Sequence, residues 1–561
     1  MPPYQPTRDA LLHAAPHTNP ASRKLEQVVR RFNLQPHVRR RQTSTPTTMF
    51  LRIAGGLLTA WIISHIYKIT YNHFFQPLSR FPGPKAVSTG WYKAYQEIYL
   101  ARNWFDVLKE LHASYGEIVR VGPNELHFCS PTAYHEIYNN MNRWDKDEVL
   151  YTSFGEDASS FGYVKYRDAK MRKDVLAPMF SRRAISELQG VVKEKMVRLC
   201  GALERNWKEG KSSDVLFALR CFTLDTIVEY CFAKDVESTE VEDFQAPVVV
   251  AMDASLPSFI LFKHFSLLRK TVFGLPGWLT RLSNPALAGL VDLHELLSAQ
   301  VNEVVQNPAS LQKSPHPTIY HRLMDPELNT AAGIPPPKSL FEEALALVFG
   351  AVDSAANTTM LGTYHVLQNS DIKRRLLEEL ETAWKSTLNS KASDESSNED
   401  KLSSIPSIET LERLPYLTAI IKESLRLSPG VPHPLSRVTP STGATISNQH
   451  IPPGTVIGMS HLFVHYSPEC FSSPETFDPE RWLRPDSAAL EKWLVPFSRG
   501  PRACLGLTLA MCELYFAFAL LFWGFDLQLD GTKKEHLAYR ECFLPSFREP
   551  HMRAFCKPVV R

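Results

Sequence analysis

The chain has 561 residues, 44% of them hydrophobic, enough to bury at least one large core; this excludes disorder throughout and a small module dependent on disulfide staples. Its 62 Lys and Arg against 59 Asp and Glu leave a formal charge of +3, too weak a field to make nucleic acid the partner. The nine cysteines stand singly at 129, 200, 221, 231, 470, 504, 512, 542 and 556, without the C-x-x-C pairs of zinc ribbons or redox dithiols, which points to a reducing compartment and a thiol free for other chemistry.

Residues 1–48 are polar and aperiodic, with Arg8, Arg23, Lys24, Arg30, Arg31, Arg39, Arg40 and Arg41 against Asp9 and Glu26, and read as a disordered basic leader. Residues 49–67 (MFLRIAGGLLTAWIISHIY) turn apolar and are long enough to cross a bilayer if their ends snorkel, despite Arg52, Ser64 and His65. Trp61 and Tyr67, with Lys68 just beyond, favour a membrane anchor over a buried helix. Residues 68–85, ending in FPGPK, read as a basic, Pro-rich hinge, and 86–561 as one catalytic domain. Arg39–Arg41 pull the N-terminus to the cytosol while Lys68, Arg80 and Lys85 pull the other way. A functional start at Met49 removes that conflict and leaves the large C-terminal portion cytosolic on the endoplasmic reticulum membrane. A mitochondrial transit peptide is the competing account of the leader.

Beyond the hinge, residues 115–128 alternate about the turn Gly122-Pro123-Asn124 and predict a β-hairpin. Helical periodicity is strongest over 213–232, 339–368, 371–385, 408–427 and 505–522. Short strands are predicted around 444–450 and 455–459, on either side of Pro452-Pro453-Gly454. The Ser-rich, charged run 386–404 reads as a solvated loop. The fold class is mainly α with a minor β-sheet region.

The decapeptide 497–506 (FSRGPRACLG) fits F-x-x-G-x-R-x-C-x-G at every fixed position. It resembles the haem-binding loop of the cytochrome P-450 superfamily, and the resemblance implies a single large haem domain of that type behind the anchor. Cys504 is then the axial ligand, the thiolate type that pushes electron density onto the iron; Arg502 points at a haem propionate, Phe497 covers the sulfur side of the ring, and Gly506 frames the loop. Four further segments match the family. Glu423-Ser-Leu-Arg426, with Arg481 in FDPERW at 477–482, resembles the family's structural Glu–Arg–Arg triad. Arg437, in PLSRVTP at 434–440, resembles the strand arginine that pairs with a propionate. Residues 350–355 (GAVDSA) resemble the oxygen-binding helix, which makes Asp353 and Ser354 the acid and the hydroxyl of a proton relay.

Four positions depart from the family pattern. Ala351 replaces a glycine and Ala355 a second hydroxyl; in the segment 167–181 Ala169 stands where Trp or His usually contacts the haem, with Lys173 in the place of an arginine. Phe349 and Val431 are the candidate substrate-pocket residues. The resemblance implies haem b, NADPH used through a separate cytochrome reductase, and insertion of one oxygen atom into an apolar small molecule. Details around 316–323, 451–455 and 477–482 are similar to fungal enzymes of secondary metabolism of the trichodiene oxygenase type, and so imply a terpenoid or related substrate. A reductase-independent isomerase or peroxygenase and a non-catalytic haem-binding protein are the rival readings.

Overall fold

The computed structural model describes residues 46–330, 333–391, 402 and 404–559. The leader expected over 1–48 lies, up to residue 45, outside the described residues, as does most of the polar run 386–404. The chain divides into two units, Met1–Tyr67 and Lys68–Arg561.

Helix α1 (Pro46–Phe74) is 29 residues long, about 43 Å at the α-helical rise. Apolar side chains such as Leu51, Leu57, Trp61 and Ile66 are exposed on all its sides, and none of its apolar window is buried in protein. A long apolar helix with no polar face suits lipid. It runs seven residues past the expected end at 67 because the first proline beyond the apolar run is Pro77; the irregular chain expected from 68 begins only after Phe74.

In the larger unit the named helices are α2 (Tyr166–Leu176), α3 (Arg182–Lys208), α4 (Val215–Phe232), α5 (Pro247–His264), α6 (Pro337–Leu367), α7 (Pro415–Leu427) and α8 (Leu507–Gly524). Helix α4 starts on Asp214, whose carboxylate accepts the Phe217 N–H at 3.0 Å. At the centre lies α6, packed on α4, α7 and α8. The approach is close enough to require Gly362, where a Cβ would overlap Ser424 Oγ of α7 and Phe518 Cζ of α8. The hydrophobicity of α6 and α8 thus belongs to a protein core, in contrast to that of α1.

Boundaries in this unit also differ from expectation, the helix read over 371–385 running on to Lys391, into the run 386–404 read as a loop. The helix read over 408–427 is broken, Ile408–Leu411 being followed by α7, because Pro415 offers no N–H to a continuing helix. The strand expected over 444–450 is a hairpin of Ala444–Ile446 with Gln449–Ile451, turned by Ser447 and Asn448 at φ 48° and 57°.

The five-stranded sheet consists of β1 (Ile118–Gly122), β2 (Glu125–Phe128), β3 (Asp145–Lys146), β4 (Arg437–Val438) and β5 (Val456–Gly458), in the order β1-β2-β5-β4-β3. The β2–β5 pair is parallel and the others antiparallel. Lys146 of β3 lies opposite Arg437 of β4.

A buried histidine pair ties β2 to helix Trp104–Tyr115. His112 Nδ1 lies 2.7 Å from the Gly116 carbonyl, His112 Nε2 lies 2.7 Å from His127 Nδ1, and His127 Nε2 accepts the Ser460 N–H at 3.4 Å. This chain of single donors and acceptors suits two neutral rings, since an extra proton on His127 Nε2 would face another N–H. Burial holds both below the ordinary histidine pKa, His127 well below it. The unfolded chain therefore binds protons below about pH 6.5 that the folded one refuses; the stability is present above that pH and is lost as pH falls through it. Wild-type stability is expected to decline toward pH 5, and His127→Gln to flatten the decline by about 1.4 kcal/mol per pH unit, measured by urea unfolding between pH 8 and 5. An unchanged slope would remove the pair from the acid limit.

Candidate active site

An internal cavity lies between α6 and the N-terminal end of α8. Cys504 is the only one of the nine cysteines with an exposed side chain, and that exposure is onto this cavity. Its loop is closed by the Cys504 N–H donating to the Phe497 carbonyl at 2.9 Å. Gly500 turns the loop at φ 76°, where a Cβ would lie 2.8 Å from the Asn139 carbonyl oxygen. Burial raises the Cys504 thiol, against which the Gly506 and Leu507 amides and the Lys173 ammonium favour the thiolate. A sulfur with amide donors behind it and open space in front is placed to serve as a thiolate ligand. Gly506 also lines the cavity, and a Cβ there would meet nothing within 4 Å.

Cations gather at the same cavity. Lys146, Lys173 and Arg502 line it. Arg502 donates to the Tyr163 and Val164 carbonyls, both at 3.0 Å, and its buried Nε has no partner among the described residues. Lys173 donates to the Ala503 carbonyl at 2.6 Å. The Lys146 ammonium donates to the Phe161 carbonyl and sits 4.1 Å above the Tyr151 ring. Burial depresses Lys146 well below the usual lysine range, and Arg502, Arg437 and Lys173 depress it further; Arg502 is lowered to about 10 by burial and then by Arg437. Burial drives the lining acids Glu156 and Glu513 well above the carboxylate range, toward the neutral form that has no charge to set against Lys173 and Arg502. A cavity lined by the Cys504 thiol, by Phe497 and by the cations Lys173 and Arg502 fits a haem and its two carboxylates.

Arg437 is not among the lining residues. It is bound to the Tyr151 hydroxyl at 3.1 Å and to the Leu435 and Ser436 carbonyls, and its charge reaches the cavity through Arg502 and Lys146. Lys146 escaped the sequence reading because it belongs to no motif; only its pairing with Arg437 across two strands brings it here. It stands beside the cavity that Ala169 also lines.

Across the cavity, α6 presents Phe349, Gly350, Ala351, Ser354 and Ala355. Ser354 Oγ donates to the Gly350 carbonyl at 3.2 Å. One turn on, Thr358 donates to the Ser354 carbonyl at 2.9 Å and lies 3.0 Å from Ser428 Oγ, so the hydroxyl missing at Ala355 has a neighbour four residues beyond Ser354 that helical periodicity could have found. Asp353 is placed differently from Ser354: it lies outside the lining, 1% exposed, with Oδ1 2.6 Å from Arg220 Nε of α4. Arg220 also holds Asp253 of α5 at 2.6 Å, so the arginine ties three helices together. Burial raises Asp353 and Arg220 opposes that rise.

Phe349 and Val431 both line the cavity, together with Phe154, Phe161, Phe259 and Phe543. Phe543 sits at the turn of the hairpin Tyr539–Cys542 and Leu544–Phe547 with φ 77°, a strained conformation for a bulky residue, and packs 4.7 Å from Phe154.

The Glu423, Arg426 and Arg481 side chains meet outside the cavity, 0, 0 and 2% exposed. Glu423 accepts from Arg426 Nε and Nη2, Arg481 Nε, Trp482 Nε1 and the Asp478 N–H, at 2.7–3.1 Å. Arg426 in turn donates to the carbonyls of His465, Pro474 and Thr476. One carboxylate thereby fastens α7 to the irregular chain that leads to the cysteine loop.

The chain is similar to known proteins over most of its length. The family model described as Cytochrome P450 matches residues 83–546. The chain is 32% identical to the cytochrome P450 monooxygenase flvC of Aspergillus flavus, over 88% of this chain and 94% of that protein. It is 30% identical to the cytochrome P450 monooxygenase macH of Penicillium terrestre, over 90% and 97%, and 32% identical to the tryptophan 6-hydroxylase fscE of Fusarium equiseti, over 87% and 93%. With a cysteine loop of the right pattern facing a cation-rimmed cavity and a match across most of its length, the chain belongs to the cytochrome P450 family and is a haem-thiolate monooxygenase.

Proposed function

We propose that this monooxygenase takes electrons from NADPH through a separate reductase and oxidises a terpenoid or related apolar intermediate of fungal secondary metabolism. The observation that carries the reading is the single exposed cysteine at the floor of an apolar cavity. When bound, the haem supplies the activation of dioxygen, one atom of which enters the substrate while the other leaves as water. The chain's own part is to hold the iron through Cys504, to hold the carboxylates with Arg502, Lys173 and Lys146, and to keep water from the apolar wall of Phe349 and Val431. Proton delivery falls to Ser354 and to Thr358, which is linked to Ser428. Asp353 enters that relay only by leaving Arg220.

A second reading, an aromatic substrate with an indole-like ring, is supported by the phenylalanine wall and by relatives named as hydroxylases of tryptophan and N-acetyltryptophan. The test is reductase-dependent NADPH consumption coupled to product. Turnover without reductase would favour the isomerase or peroxygenase rival, and haem binding without turnover a non-catalytic protein. Ser354→Ala and Thr358→Ala are each expected to lower product per NADPH several-fold with haem content unchanged; unchanged coupling in both would take the relay elsewhere.

With α1 in the endoplasmic reticulum membrane, we place the catalytic domain in the cytosol, and protease should digest it in intact microsomes. Protection would reverse that orientation.

A further inference from the structure

We infer that His433 is a specificity-determining residue of this cavity, whose Nε2 accepts a hydrogen bond from an N–H or O–H group on the substrate. The inference rests on the monooxygenase reading and narrows its substrate class to an apolar molecule that carries a hydrogen-bond donor.

His433 lines the cavity yet is only 2% exposed. It stands between Pro432 and Pro434, whose rings fix the backbone on either side, so the imidazole is presented from a stiff segment. Its Nδ1 lies 2.8 Å from Glu541 Oε1. The carboxylate is itself held: Oε2 accepts the Phe105 N–H at 2.8 Å, and the Glu541 N–H donates to Asn103 Oδ1 at 2.9 Å. With Nδ1–H committed to the carboxylate, the other nitrogen of a neutral ring is an acceptor, and it has no partner among the described residues.

The charges around the pair keep the ring neutral. Burial, then Lys263 and Lys93, push His433 well below the usual histidine range, with Glu97 opposing and His264 adding to the fall. Burial lifts Glu541 to about 7, against which the Phe105 amide, Lys263 and Lys93 favour the carboxylate. Above that pH the pair is a carboxylate and a neutral imidazole, and the tautomer follows.

Phe543, whose ring centroid is 6.1 Å from that of His433, lines the cavity with Phe154, Phe161, Phe259, Phe349 and Val431, so the imidazole borders an aromatic and aliphatic part of the wall. A pure hydrocarbon pressed into it would leave the acceptor dry and unpaired, whereas an alcohol or an indole-type N–H satisfies it. That difference corresponds to roughly tenfold in affinity.

The test uses the holoenzyme at pH 8 and two probe pairs that differ only in the donor: farnesol with farnesyl methyl ether, and indole with 1-methylindole. Dissociation constants are read from the haem absorption shift. The wild type is expected to bind the donor member of a pair about tenfold more tightly, His433→Phe to bind both members equally, and His433→Gln, which retains an acceptor, to recover part of the preference. Equal affinity in the wild type, no spectral response to any of the four probes, or a preference that survives in His433→Phe overturns the assignment, and the wild-type arm decides by itself if the phenylalanine variant fails to hold haem. Absence of the thiolate band in the reduced, carbon monoxide-bound wild type would instead strike at the haem-thiolate reading; a normal band without a preference strikes only at His433.

Discussion

Cys504→Ala is expected to abolish the thiolate band in the carbon monoxide difference spectrum of the reduced protein. No other cysteine is placed to supply the ligand: Cys129 and Cys200 are half-buried and the remaining six are buried, outside the cavity. Burial also drives these thiols toward the neutral form, with Cys129 raised to about 11 and Cys542 to about 12. Cys504 alone combines a thiolate-favouring surround, in the Gly506 and Leu507 amides and Lys173, with access to the cavity. The spectrum of purified variant and wild type at equal protein concentration checks this, and a variant that keeps the band would refute the assignment of the ligand.

Arg426→Ala is expected to yield protein without haem and to lower stability by about 3–5 kcal/mol, the cost of breaking a buried ion pair by removing one partner, with Arg481 left as the one guanidinium on Glu423. The guanidinium supplies two of the five hydrogen bonds to Glu423 and three to carbonyls of the chain after α7. Removing it loosens the segment that leads to the cysteine loop while keeping Cys504 chemically intact, so the loss of haem would report positioning. Glu423→Ala strands two buried guanidinium groups and should be at least as severe. A domain of ordinary stability has about 5–15 kcal/mol in all, so either change removes a large part of it. Haem content and the urea midpoint measure the effect; normal haem content in both variants would place these residues outside the support of the loop.

What the sequence determined by itself was whatever local pattern encodes. The decapeptide around Cys504 is one uninterrupted loop, so its residues lie near one another by covalent connection, and Phe497, Arg502 and Gly506 meet the cavity with the cysteine. The long helices α4, α6 and α8 were legible from apolar periodicity, and the hairpin of β1 and β2 from its turn. The anchor was legible because a run that is apolar on every side has no other solvent than lipid.

The tertiary structure alone decided which polar groups face one another across elements. Asp353 and Ser354 are neighbours in sequence, but a residue turns by about 100° along a helix, and Arg220, more than a hundred positions away, captures the acid on one side while the hydroxyl stays on the other. Lys146 gained its place through strand pairing with Arg437, and His433 gained its orientation from Glu541, on a hairpin near the far end of the chain. Each is a pairing of charges or donors at long sequence separation. A single sequence states the residue types but not the contact, because that contact is set by the packing of helices and strands whose order in space is fixed only when the whole core closes.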